Sequence, residues 1–380
     1  MKRLNFLVIR LVIPTILKAL FTLFPRREKT LLIIKNDGIG DYILFRNCFQ
    51  FLKRSEKYKG YKIYVLANMS SKELALHLDT DTVSRFFWYA DGFFLKWDLI
   101  SLLLALQRLR PQSVFYTNYS RRYQTDWLVN KIVAKHKIGI DGDTVNEMAE
   151  EKTKSDRFYT QLLKTTHHPQ HEFVRNRQMC EALTGEACNI TKPYIDTQKL
   201  NSTQHNSVVM FIGGSTSDKR WPVYHVAEFC KTVISKQRTN IILAGGLNDV
   251  SDAEKIQELV AWPQLSSKVG LLSLTELAGL LAGASLLVSN DTMAVHLAVA
   301  VDIPVVCIAK GDLFARFAPY PGDIYLKLST VMPTNFIPNK DSFHSWSSAK
   351  ILDVDVAEIY HAAQTFLIKQ PTSINWTSPA

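Results

Sequence analysis

The chain has little of what marks several protein classes. Its 380 residues hold five cysteines, at positions 48, 180, 188, 230 and 307, and none of them forms a CxxC pair. Cys180 and Cys188 have seven residues between them, too wide for a metal-type pair. The odd count and the want of a secretory leader favour reduced thiols in a cytoplasm. A bilayer span needs roughly 20 mostly apolar residues, and Arg10, Pro14 and Lys18 interrupt the one apolar stretch that competes for that role. No small-residue cleavage site follows it before Phe24-Pro-Arg-Arg27, which speaks against a signal peptide. Internal repeats and low-complexity tracts are missing as well. With 47% apolar and 21% charged residues the composition is globular, and the length suffices for two domains with separate cores.

Negative charge is scarce in one place. The net charge is +10. Lys2, Arg3, Arg10, Lys18, Arg26, Arg27 and Lys29 stand against Glu28 alone in the first 30 residues, a net +6. The same segment is apolar between its cations, with Phe6–Ile9, Leu11–Ile13, Ile16-Leu17, Ala19–Phe21 and Leu23-Phe24. At helical spacing Arg3, Arg10, Pro14, Lys18 and Thr22 form one polar stripe. Residues 1–29 therefore read as a basic amphipathic helix that either lies on an anionic inner-leaflet surface or packs on the following domain. No nucleic acid is expected as a partner, because the excess charge sits in an apolar segment without interspersed basic and aromatic residues.

Short apolar runs alternate with longer mixed segments, the pattern of an α/β protein. Strands are expected at Thr30–Ile34, Lys62–Ala67 and Ser113–Tyr116, with helices at 43–53 and Leu99–Leu109. Residues 141–185 are polar and helical in character, broken at His167-His-Pro169, a pair of histidines assigned no metal. A second alternation supplies strands at Val208–Ile212, Ile241–Ala244, Leu286–Val288 and Val305–Ile308, with helices at Val223–Ser235, 252–262, 274–283, 293–301 and 354–367. The expected organisation is a helix at 1–29, an N-terminal Rossmann-like domain at 30–190, a linker at 191–206, a second Rossmann-like domain at 207–345, and a helix and tail at 346–380.

Three strand-to-helix junctions carry chemistry. Phe211-Ile-Gly-Gly-Ser-Thr-Ser-Asp-Lys-Arg-Trp-Pro222 runs from a buried strand through a small-residue turn to a cation and a helix start. Backbone N–H groups of Gly214, Ser215 and Thr216 together with the Lys219 ammonium suit a phosphate-bearing ligand. Leu286-Leu-Val-Ser-Asn-Asp-Thr-Met-Ala-Val-His296 is a second such junction, with Asp291, Thr292, Met293 and His296 as candidates. His296 also fits a satisfied structural histidine, and Asp291 a simple helix cap. Lys35-Asn-Asp-Gly-Ile-Gly-Asp-Tyr42 is the third, where Asp41 projects at the carboxyl end of the first strand or caps a helix. It departs from a dinucleotide fingerprint at Ile43, and no acidic ribose ligand stands roughly 20 residues on. An oxidoreductase reading is therefore set aside.

These segments, taken in order with the Gly245-Gly246 turn after a strand and Asp291-Thr-Met-Ala-Val-His-Leu-Ala-Val-Ala300, resemble glycosyltransferase family 9, the ADP-heptose:lipopolysaccharide heptosyltransferases. The resemblance frames most of residues 30–310; the N-terminal helix and 311–350 lie outside it. It implies a GT-B fold, two Rossmann-like domains whose parallel sheets face a central cleft. The nucleotide-sugar donor would sit on the C-terminal domain and a lipid-linked glycan acceptor on the N-terminal one. It further implies metal-free, cofactor-free transfer with inversion, on the inner face of the cytoplasmic membrane. Asp41 would be the general base, while Lys219 and the helix opening at Asp291-Thr292 would stabilise the leaving diphosphate. Asn248 stands where the family often has an acidic ribose ligand. Met293 replaces a glycine of the family motif, which leaves open another nucleotide sugar, used in O-antigen or capsule synthesis. A non-catalytic relative that binds glycan or nucleotide without turnover is the reading from another class. Arg46, Arg121 and Arg122 are the candidate cations for an anionic acceptor.

Overall fold

The computed structural model describes residues 12–25, 28–90, 98–165, 170–339 and 341–367. Lys2, Arg3, Arg10, Arg26, Arg27 and the His167-His168 pair lie outside the described residues, as does the tail from 368 onward. The chain divides into two units, Met1–His168 with Phe173–Ile190, and Pro169–Glu172 with Thr191–Ala380.

The first unit holds strands β1 (Thr30–Lys35), β2 (Lys62–Asn68), β3 (Arg85–Tyr89), β4 (Ser113–Tyr116), β5 (His136–Ile140) and β6 (Gln161–Leu163). Its helices are α1 (Ile13–Thr22), α2 (Ile39–Phe45), α3 (Asn47–Arg54), α4 (Lys72–Leu78), α5 (Asp98–Leu109), α6 (Tyr123–Lys131), α7 (Ala149–Asp156) and α8 (Glu172–Thr184). The strands form one parallel sheet in the order β3-β2-β1-β4-β5-β6. Every residue of β1 is buried, as a central strand covered on both faces requires. Leu31 and Ile33 enter one apolar core with Phe45, Phe49 and Ile63, whereas Leu32 and Ile34 enter another with Leu99, Leu103 and Leu128. At roughly 1.5–3 kcal/mol for each fully buried aliphatic side chain, this alternation anchors the strand on both sides.

The second unit repeats the plan. Strands β7 (Val208–Phe211), β8 (Ile241–Ala244), β9 (Leu265–Ser267), β10 (Leu286–Asn290), β11 (Val305–Ile308) and β12 (Leu328–Val331) pair in parallel in the order β12-β11-β10-β7-β8-β9. Helices α9 (Val223–Gln237), α10 (Val250–Val260), α11 (Leu274–Ala282), α12 (Met293–Ala300) and α13 (Val356–Leu367) accompany them. In each unit the chain reverses its winding direction at one pair of central strands, β1 with β4 and β7 with β10. Ligands of doubly wound sheets bind outside the carboxyl ends of the strands at that pair.

Several expectations are corrected. The helix expected at 43–53 begins at Ile39 and is two helices meeting at Arg46, whose own backbone stays helical. Residues 191–206 are no free linker: Ile195 N–H donates to Ala300 O (2.8 Å) and His205 N–H to Gly283 O (3.0 Å), so the segment runs along the second unit. Helix α13 belongs to that unit's core too, through Ile359, Ala362 and Ala363. All five cysteines are buried and free.

Of the described members of its polar stripe, helix α1 turns Pro14 and Lys18 inward and leaves Thr22 exposed. Pro14 is buried, Lys18 Nζ donates to Asn130 Oδ1 (3.2 Å), and Lys131 Nζ donates to Thr15 Oγ1 (3.0 Å). Val12, Ile16, Leu20 and Leu23, at helical spacing, are left exposed. Among the described residues no helix is long and apolar enough to cross a membrane.

Candidate functional site

The carboxyl ends of β7 and β10 are tied into one surface by a single buried amide. Asn290, the last residue of β10, donates through Nδ2 to Ile212 O (3.0 Å) and Gly213 O (2.9 Å). Its Oδ1 accepts from Trp221 N–H (3.0 Å), which fixes the chain just ahead of α9. The Gly213-Gly214 turn is held further by Arg220, which donates to Gly214 O (3.3 Å) and pairs with Asp249 (3.1 Å). Glycine is required at 213, because a Cβ there would come within 2.8 Å of Asp249 Oδ2 and 2.9 Å of the Phe211 ring. Asp249 also accepts from Gly246 N–H (2.8 Å), so the turns after β7 and β8 share one anchor.

On this frame Gly214 is half-buried, while Ser215 and Thr216 are exposed and lead into a short 3-10 turn, Ser217–Lys219. Lys219 Nζ lies 3.6 Å from Asp312 Oδ2 and 4.7 Å from the centroid of the Trp346 ring. Across the strand pair, Thr292 and not Asp291 is the N-cap of α12: its Oγ1 accepts from Ala294 N–H (3.3 Å). The threonine satisfies Ala294 N–H through its hydroxyl and Val295 N–H through its carbonyl (3.2 Å), and the helix dipole puts a partial positive charge at this end. Asp291 and Met293 flank it, both half-buried. Burial pushes the Asp291 carboxyl up to about 6, with Lys219 opposing the rise and Asp312 adding to it. Lys219, Asp291, Lys310 and Asp312 line one recess.

His296 sits one turn along α12, buried, with Nδ1 2.7 Å from the Tyr320 hydroxyl. Burial lowers it to about 3, with His171 nearby adding to the effect, so the imidazole is neutral. These contacts fit the structural reading of His296. Asn248 is exposed in the turn Leu247–Asp249, and the carboxylate of its neighbour Asp249 is consumed by Gly246 and Arg220.

In the first unit Asp41 is half-buried in the first turn of α2, where Gly38 is the N-cap. Gly38 and not Asp41 thus holds the N-cap position, with Asp41 Oδ2 3.3 Å from where a Cβ on Gly38 would stand. An acidic side chain in the first helical turn is favoured by the helix dipole, and this one stands just past the carboxyl end of β1 at the strand pair where ligands of such sheets bind. Asp37, the other carboxylate of the loop, is paired with the buried Lys35 (2.8 Å).

The arginine assignments divide. Arg46 is buried and chelates Asp79 through Nη2 (2.8 Å) and Nε (3.2 Å), while Tyr42 donates to the same carboxylate (2.7 Å). Arg121 is fully buried among Asp156, Glu147 (3.6 Å) and Asp126 (3.9 Å). Burial and the neighbouring Asp126 push Glu147 up to about 7 within that cluster. Arg121 is shut off from solvent and Arg46 nearly so, and both are corrected to internal ion pairs. Arg122 points outward from the loop after β4 and remains a candidate. Asn290, Lys310, Asp312 and Trp346 were not singled out from sequence; a lysine two residues past the end of a strand was the one available signal for that group.

Comparison with known proteins follows the same lines. No curated protein sequence matches the chain. Among solved structures it is similar to the heptosyltransferase WaaC of E. coli with ADP, at 18% identity and a TM-score of 0.67, covering 89% of this chain and 99% of that one. It is similar also to a family 9 glycosyl transferase of Veillonella parvula (16% identity, TM-score 0.71, 91% and 99% covered). E. coli ADP-heptose LPS heptosyltransferase II gives 16% identity and a TM-score of 0.60, with 90% and 99% covered. These likenesses establish the fold, two parallel α/β units of the GT-B type. The family model described as glycosyltransferase family 9 (heptosyltransferase) matches residues 121–320, more than half of the chain. The chain belongs to glycosyltransferase family 9.

Proposed function

We propose that the protein transfers a heptose-type sugar from a nucleoside diphosphate donor, ADP-heptose, to a lipopolysaccharide core or related surface glycan, with inversion and without a metal ion. The observation that carries this reading is the joined end of β7 and β10. Lys219 there supplies a full charge beside Asp291, the residue that precedes the Thr292 cap of α12, and the positive end of that helix's dipole adds to it. Such an arrangement suits the leaving diphosphate, whose negative charge grows as the glycosidic bond breaks. Asp41 takes the proton of the acceptor hydroxyl as its oxygen attacks the anomeric carbon. Gly214, Ser215 and Thr216 contribute further polar contacts to the donor, and Arg122 a cation to the acceptor. Similarity to proteins whose structures hold ADP and an ADP-heptose analogue supports the choice of base and sugar.

Thermal stabilisation by ADP, UDP, GDP and CMP tests the donor. Selective binding raises the unfolding midpoint by mass action, about 2.7 kcal/mol at 100 times the dissociation constant. An ADP-specific shift is expected. A UDP or GDP preference replaces the donor, in keeping with Met293 at the first residue of α12. No shift with any of the four sinks the transferase reading in favour of a non-catalytic relative.

Peripheral attachment to the inner face of the cytoplasmic membrane is part of the same reading. Its basis is the exposed stripe Val12, Ile16, Leu20 and Leu23 in a segment of net +6. Sedimentation with anionic vesicles is expected for the wild-type chain and lost in Ile16→Glu/Leu20→Glu. Equal sedimentation of the two proteins overturns it.

A further inference from the structure

We propose that Lys310 is a second phosphate-binding cation of the donor site, held ready by an exposed carboxylate, Asp218, that the donor displaces. This rests on the donor reading above. Three neighbouring strands deliver the charges: β7 leads to Asp218 and Lys219, β10 to Asp291, and β11 to Lys310 and Asp312. Lys310 Nζ is 2.5 Å from Asp218 Oδ2 and 3.4 Å from Asp312 Oδ1, and its side chain is only 10% exposed. Asp312 is the fixed member. It is buried at 4%, accepts from Ser347 N–H through Oδ1 (2.8 Å), and lies between the two lysines.

Charge decides the matter. With Lys219 alone, the recess would set one cation against the carboxylates of Asp291 and Asp312, and would repel a diphosphate ester carrying two negative charges. Lys310 brings the recess to two cations against two carboxylates once Asp218 has moved away. Asp218 differs from Asp312 in having a side chain 60% exposed, so water can take it up again when it leaves the ammonium. Phosphate oxygens then take its place on Lys310 as charge-assisted acceptors, while Asp312 keeps the two ammonium groups in position.

Calorimetric titration of ADP into Lys310→Met and Asp218→Asn tests this, with adenosine as the phosphate-free control. Lys310→Met keeps the aliphatic stem and is expected to weaken ADP by roughly ten- to a hundredfold, the loss of one bond to a charged group. Asp218→Asn is expected to tighten ADP severalfold, and adenosine binding is expected to change in neither variant. ADP affinity within twofold of wild type in Lys310→Met overturns the role of Lys310, as does an equal loss for adenosine. Unchanged or weaker ADP binding in Asp218→Asn overturns the displacement, and this variant serves also where Lys310→Met does not fold. A wild-type chain that binds no nucleoside diphosphate fails the donor reading itself, which separates the two failures.

Discussion

Asp41→Asn is expected to lower the transfer rate by about 10²–10⁴-fold, the usual contribution of a positioned general base, while ADP binding stays at the wild-type level. The two effects separate because Asp41 lies in the first unit, at the end of β1, and the residues proposed for the diphosphate all lie in the second. Asparagine keeps the shape and the place in the first turn of α2, and removes only the charge and its ability to accept a proton. A small loss of helix stability accompanies it, a few tenths of a kcal/mol to about 1, since the dipole no longer has its anion. That cost is far below what the rate effect would require if it came from unfolding. Single-turnover measurement with a saturating nucleotide sugar gives the rate, and calorimetry with ADP the binding. Wild-type rate in Asp41→Asn removes the residue from the chemistry. Chelation by EDTA is expected to leave the wild-type rate unchanged.

Legibility in the sequence follows the range of the interactions. The fully buried strands β1 and β10 show as continuous apolar runs, and the junctions that follow them show as small and polar residues at the turn. These are local signals, and they mark the strand-to-helix junctions on which Asp41, Lys219 and Thr292 stand. Strand β5, His136–Ile140, carries no such signal. Its Gly139 stands where a Cβ would meet the Tyr159 ring at 2.7 Å, so the glycine answers to a residue that only the fold brings there. Strands β6 and β9 are three residues each, too short to show a period. Arg46 and Arg121 show as charge, whereas their burial depends on Asp79, Asp126, Glu147 and Asp156, all distant in sequence or on another element. A cation's partner decides whether it faces solvent, and partners are a tertiary property. Lys310 and Asp312 fall under the same rule: each is an ordinary loop residue until β11 is placed beside β10.

Lys219→Met is the other change with a large expected effect, about 10²–10³-fold in kcat, the size seen when one preorganised group that stabilises developing charge is removed. Lys219 is half-buried, under the Trp346 ring and beside Asp312, so its ammonium acts where water screens it less than at an open surface. Removing it leaves Asp291 without the cation that opposes its neutralisation, while Asp312 keeps Lys310 at 3.4 Å. Lys219 opposes the upward push of burial on the Asp291 carboxyl. Its loss moves that carboxyl further up, so the variant regains part of its ADP affinity as the pH falls through a window above 6, where the carboxyl is neutralised. The affinity is best followed with a nucleotide sugar, because a terminal phosphate titrates near pH 6 on its own account. A variant that loses ground-state affinity but keeps kcat at saturation would place Lys219 in binding alone, since only interactions stronger in the transition state raise kcat. A fall in kcat at saturating donor, with partial recovery of affinity at low pH, places it against the diphosphate as the bond to the sugar breaks.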